Sequence, residues 1–171
     1  MTLWVSPVFY GEPAEIRQAI KQAGVNIEKK AQELNVGLSD NGQKIVSKIM
    51  DTGKKLQEKN ITKKEALRRI SNISREVEAM KMIAEISNQL KEELSPEKRR
   101  KLNEILEKLS DILKDMPYMS ELAQKVTKAQ QMNLSDDTLR ELALAIENRR
   151  LSSSDLTALQ NISDQLQKEK Q

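Results

Sequence analysis

The chain has 171 residues, 37% of them apolar and 32% charged, with a formal net charge of +3. Against typical values of roughly 45–50% apolar and 25% charged, surface is over-represented and material for a thick core is scarce. The sequence contains neither Cys nor His, which excludes disulfides, thiolate nucleophiles and cysteine metal sites and removes the commonest general base and metal ligand.

The longest apolar runs fall far short of the roughly 18 residues that read as a membrane-spanning helix. The sequence therefore predicts no transmembrane segment. Residues 1–13 form an arm of unusual composition. Of one Trp, one Phe and two Tyr in the chain, Trp4, Phe9 and Tyr10 all lie here, interrupted by Pro7, Gly11 and Pro13. The arm has no basic n-region and no small-residue cleavage site, so it reads as mature sequence rather than a cleaved signal. The expected location is the cytoplasm, or outside it by export without a recognisable cleaved signal.

Beyond Pro13 an aliphatic residue followed by Ser or Thr repeatedly precedes a helical run: Leu38-Ser39, Ile61-Thr62, Leu94-Ser95, Leu134-Ser135 and Leu151-Ser152. A hydroxyl at the N-cap accepts from free helix N–H groups, and the aliphatic before it can pack on the first turns. Intervals between these caps range from 17 to 40 residues, so they punctuate helices and mark no tandem repeat. Thr62 with Glu65 makes a capping box, and at the second start Asp40 with Gln43 is preferred to Ser39. Leu134 with Leu139, and Leu151 with Leu156, have staple spacing.

Between the caps, apolar residues keep three-four spacing. Ile16, Ile20, Ala23, Ile27 and Leu34 define the first stripe; Ile45, Ile49 and Leu56 define the second. The third runs from about 63 to 94, through Leu67, Ile70, Ile73, Val77, Met80, Ile83, Ile86, Leu90 and Leu94; as one helix it would be about 48 Å long. The fourth places Leu102, Ile105, Leu106, Leu109, Ile112, Leu113 and Met116 on one face. Three shorter segments follow, at about 120–131, 136–149 and 153–168. No segment alternates with period two. The fold class is all-α, expected as an elongated antiparallel bundle with coiled-coil-like long helices followed by shorter C-terminal ones. Pro117 is the clearest break and divides a long-helix bundle, 14–116, from a short-helix subdomain, 117–171. Packing of 117–171 as one domain with 14–116 is the alternative.

Chemical motifs are weak. Asp51-Thr52-Gly53 spells an aspartic-protease triplet, but it sits once, on a helical stripe, where those enzymes need two facing copies on loops. Gly53-Lys54-Lys55 lacks the spacing of a phosphate-binding loop. Glu104, Glu107, Asp111 and Asp115 form an acidic line opposite the fourth stripe, an outward face with too few converging ligands for a metal. No catalytic residue, metal or cofactor is expected, and the chain does not read as an enzyme.

Nine Lys or Arg stand against three acids between 44 and 69, a local net charge of +6. Lys54, Lys55, Lys63, Lys64, Arg68 and Arg69 are the candidate basic surface. A second cluster is Lys98-Arg99-Arg100-Lys101. Lys63, Lys64 and the second cluster fall in first turns, where the helix dipole disfavours cations, so helix stability alone does not ask for them. Nucleic acid is the alternative partner but is disfavoured, because no aromatic residues interleave with these cations and no recognition motif is present. At the proline corner Met116, Tyr118 and Met119 are expected to be partly exposed and, with Trp4, Phe9 and Tyr10, to contact a partner.

In its helical hairpins, absence of cysteine and apolar arm, the chain is similar to small accessory proteins, chaperones and substrates of bacterial specialised secretion systems. That likeness is one of general character and assigns no residues. The expected function is a non-catalytic helical adaptor or structural protein that binds another protein, or a copy of itself, through helix faces and the aromatic arm.

Overall fold

A computed structural model describes residues 13–170. Seven α-helices account for most of them, and no strand occurs among the described residues: α1 (Ala14–Leu34), α2 (Asp40–Leu56), α3 (Lys63–Leu90), α4 (Pro96–Leu113), α5 (Ser120–Gln131), α6 (Asp136–Glu147) and α7 (Ser153–Glu169). A single 3-10 turn, Pro117–Met119, leads directly into α5. The fold is all-α, as the periodicity requires.

The hydroxyl caps stand where the sequence puts them. Ser95 accepts from Lys98 N at 3.3 Å, Ser135 from Thr138 N at 3.4 Å and Thr62 from Glu65 N at 3.1 Å. At the second start the expectation needs correcting. Ser39 caps α2, its hydroxyl accepting from Gly42 N at 3.2 Å, while the Gln43 amide donates outward to Leu38 O at 3.1 Å and Asp40 is exposed.

α3 ends at Leu90, four residues short of the expected end. The Lys91 and Glu92 N–H groups close tight turns onto Asn88 O and Gln89 O at 3.3 and 3.2 Å. Ser95 must be extended to cap α4 (φ −70°, ψ 163°), and a residue before proline is pushed out of the helical region, so the chain leaves the helix early. Leu94 still packs on the core, which is why its stripe outruns its helix.

Contacts divide the chain into two compact units, one of residues 1–74 with 153–171 and the other of residues 75–152. Pro117, expected as a boundary, lies inside the second unit, and α7 belongs to the first. In the second unit one continuous aliphatic core gathers Ile83 and Ile86 of α3, Leu102, Leu106 and Leu109 of α4, Leu122 of α5 and Leu142 of α6. Met116 and Met119 belong to it at 6% and 5% exposure, which corrects their expected exposure. Pro117 starts a 3-10 turn instead of splaying the chain. Its two flanking methionines, three residues apart, then both continue the inward face of α4 while Tyr118 points out.

In the first unit α1 packs on α2 and on α7. Gly24 and Gly53 make the α1–α2 crossing close. A Cβ on Gly24 would lie 2.5 Å from Gly53 O, and one on Gly53 would lie 2.8 Å from both Gly24 O and Glu28 N. The glycine of the Asp-Thr-Gly triplet is therefore a packing glycine: any side chain would drive the two backbones apart.

α7 is fastened to the start of α2 by Asp155, which is 1% exposed. Its carboxylate accepts from Ser39 N at 2.9 Å and from the Ser39 hydroxyl. Gly42 makes room for it, since a Cβ there would lie 2.1 Å from Asp155 Oδ1. A buried carboxylate is tolerable only when hydrogen-bonded, and the positive end of α2 favours this one.

Candidate functional site

A described surface with a shape suited to recognition lies in the first unit. Near its far end α7 meets the middle of α1, where Glu169 Oε1 accepts from Asn26 Nδ2 at 3.1 Å and from Gln165 Nε2 at 2.8 Å. Since Asp155 at the other end of α7 sits beside the start of α2, α7 runs antiparallel to α1 and stops halfway along it. The first turns of α1 therefore outlast their neighbour. What remains beside them is a groove of about 440 Å³, within the usual range of ligand pockets.

The groove floor is aliphatic: Ile16, Ile20 and Ala23 of α1, Leu56 at the end of α2, and Ala66, Leu67 and Ile70 of α3. Lys63, Lys168 and Lys170 line it with one acid, Glu169. Ala19 is exposed and Leu67 is 38% exposed. Apolar surface is thus presented to solvent between cations, a composition suited to an apolar segment.

The candidate basic residues surround the same end of the unit, because α2 finishes and α3 begins there. Several are already engaged. Lys54 Nζ stands 4.0 Å from Glu28 Oε2, and Gln57 Nε2 donates to Glu28 Oε1 at 2.9 Å. Arg68 grips Glu65 with two hydrogen bonds, Nε to Oε2 at 3.0 Å and Nη2 to Oε1 at 2.7 Å. Arg69 Nε approaches the same carboxylate at 3.1 Å. The Arg68 hydrogen bonds, with the charges of both arginines, hold the Glu65 carboxyl below its ordinary pKa. Lys54 and Lys55 occupy the last turn of α2, where the helix dipole favours cations. Lys55 and Lys64 are exposed.

The second basic cluster has structural work. Arg99 Nη1 donates to Leu134 O at 2.9 Å, and Lys98 Nζ pairs with Glu92 at 2.9 Å. Arg99 thereby holds an unusual turn after α5, in which Asn133 and Leu134 have φ of 51° and 57°. The acidic line of α4 is outward, as expected: Glu104, Glu107, Asp111 and Asp115 are all exposed. Asp115 pairs with Arg75 at 2.6 Å and Asp111 with Lys114 at 3.3 Å. No group of metal-ligating side chains gathers among the described residues.

Of the expected contact residues, Trp4, Phe9 and Tyr10 lie outside the described residues. Met116 and Met119 are core, so they are not open to a partner. Tyr118 is 59% exposed. Loss of hydration around its hydroxyl, and a hydrogen bond to the Glu76 carboxylate, push its pKa well above the usual phenol value. It is therefore a neutral donor, already satisfied.

Narrow aliphatic seams imply apolar grooves between helices in which the arm could lie, but the sequence does not place this one. Its side chains were visible as stripes, but nothing in a stripe says where a neighbouring helix stops. No helix among the described residues is long and apolar enough to cross a membrane. Compared with known proteins, the chain matches no family model, no curated protein and no solved structure.

Proposed function

We propose that the chain is a non-catalytic helical adaptor that docks a protein partner on the helix faces of its first unit, with the aromatic arm as a second contact element. The observation that supports this reading is the groove, an aliphatic floor between lysines beside the first turns of α1. Such a surface suits an apolar segment lying in a groove with acidic flanks, and the surrounding positive potential would steer it. The sequence's general character favours an accessory protein, chaperone or substrate of a bacterial specialised secretion system as the setting.

The nucleic-acid alternative needs cations able to meet phosphate. Lys54, Arg68 and Arg69 instead face the carboxylates of Glu28 and Glu65, which weakens that reading. Phosphate contacts would give a steep salt dependence, so absence of a gel shift at low salt disposes of it.

The adaptor reading is tested by co-purification followed by reconstitution from purified components, comparing Leu67→Glu with Leu144→Glu. Leu144 is a 63% exposed leucine in the second unit and serves as the control. Binding should be lost for Leu67→Glu and kept for Leu144→Glu, with helicity by circular dichroism equal in both. A complex that survives Leu67→Glu intact contradicts docking at the groove.

A further inference from the structure

The groove begins at the first turn of α1, and the chain segment that precedes α1 carries three of the protein's four aromatic side chains. We propose that in the free chain this segment, residues 1–12, folds back on its own molecule and covers the groove, seating Trp4, Phe9 and Tyr10 over Ile16, Ile20, Leu67 and Ile70. The proposal rests on the groove being the docking surface and adds a regulation of that site: the arm occupies it until a partner displaces the arm.

Reach supports the assignment. Ile16, at the mouth of the groove, is three residues from Pro13, the residue that caps α1. From Ile16 to Ala23 the floor rises only about 10 Å along α1 at 1.5 Å per residue. Extended chain covers about 3.3 Å per residue, so the six steps from Tyr10 to Trp4 reach as far as about 20 Å and cover that length with slack. Gly11 and Pro13, residues that favour turns, stand where such a fold-back would have to reverse the chain.

Chemistry supports it as well. Residues 1–11 have no side chain that is charged at neutral pH and so bring no side-chain charge to be desolvated over an aliphatic floor. Lys63, Lys168 and Lys170 at the edges are suited to cation–π contact with aromatic faces. Attachment so close to the groove raises the arm's effective concentration to the millimolar range, which favours the molecule's own arm over that of a second copy.

Trp4 is the single tryptophan, so its fluorescence reports on the arm alone. In the full chain the emission should be blue-shifted and acrylamide quenching several-fold weaker than in the urea-unfolded chain, both independent of protein concentration. Ala19→Glu and Leu67→Glu should each move the emission to the red with helicity retained; both sites are exposed, which protects the fold. Because the chain has no native cysteine, Phe9→Cys combined with Leu67→Cys should give an intrachain disulfide on mild oxidation. Red, freely quenched emission from the wild-type chain overturns the proposal. So does a blue shift lost on dilution together with crosslinked dimers, which would place the arm on a second copy. The adaptor reading is judged separately by the reconstituted complex, since the loss expected for Leu67→Glu there does not depend on where Trp4 sits in the free chain.

Discussion

The two units solve the shortage of apolar residues differently. Residues 75–152 are contiguous in sequence and share one aliphatic core, in which Leu102, Leu106, Leu109, Leu122 and Leu142 are completely buried. The first unit is discontinuous. It takes in α7, which returns from the far end of the chain, and to its own buried aliphatics, Ile27, Ile49, Leu56, Leu159 and Ile162 among them, it adds features that tolerate little change: two facing glycines and one buried carboxylate. Burying leucines is forgiving, because hydrophobic contact has no direction and cores accept volume-conserving exchange. Bringing backbones into contact, or seating a carboxylate in a cradle with no Cβ, admits one arrangement. The unit with an open groove is thus the one whose geometry is most tightly specified.

The strongest challenge to that contrast is Gly53→Leu. Its side chain would have to enter space where a Cβ already meets backbone atoms at 2.8 Å, and backbone cannot rotate aside as a side-chain tip can. A loss of about 3 kcal/mol is expected, at the upper end for overpacked sites. Hydrogen exchange should show lost protection in α1, α2 and α7, with protection in α4, α5 and α6 largely kept. Equal loss everywhere would mean that the units do not differ in the proposed way.

A smaller effect is expected from Asp155→Ala. Ser39 N loses its acceptor and the start of α2 loses a favourably placed negative charge, together costing about 1–3 kcal/mol. Asp155→Asn, which keeps one acceptor oxygen, should fall between wild type and Ala in urea denaturation. If the alanine variant is as stable as wild type, the carboxylate does not fasten α7.

How much of this was legible from sequence follows from the range of each interaction. Caps such as Ser95 and Ser135 are local, satisfied within three residues, and the sequence predicts them correctly. The α2 cap was misassigned to Asp40 because what favours Ser39 is Asp155, 116 residues away. Ser152 and Asp155 have capping-box spacing, a sign that an acid belongs at that helix start, but the spacing does not name Ser39 or Gly42. Gly53 attracted attention for the chemistry of the triplet it completes, when its meaning lies in Gly24 on another helix. The proline corner was read from the rule that Pro ends helices. That rule places the break but says nothing about which way Met119 faces afterwards; Met116 already lies on the fourth stripe, and both follow the leucine core. That Glu169 of α7 meets Asn26 of α1 is a property of two helices in register and has no signature in either one.

The smallest effect should come from Asn133→Gly, and its sign is the reverse of the others. Among the described residues, the non-glycine positions with positive φ are Asn133 and Leu134, so the second unit carries backbone strain of this kind that the first does not. Leu134 is held there by burial, at 4% exposure, by its N–H bonding Ala129 O at 2.8 Å and by Arg99 on its carbonyl, and it should not be replaced. Asn133 is exposed and loses nothing comparable on substitution. Glycine removes the left-handed penalty in the folded state but adds freedom to the unfolded one, so the net gain should be only about 0.5 kcal/mol. It should appear as a slightly raised urea midpoint with unchanged slope, and as slower exchange at the α5–α6 turn alone. A destabilised variant would show that Asn133 makes a contact worth more than its strain, and would place the second unit beside the first as an assembly held by particular polar groups.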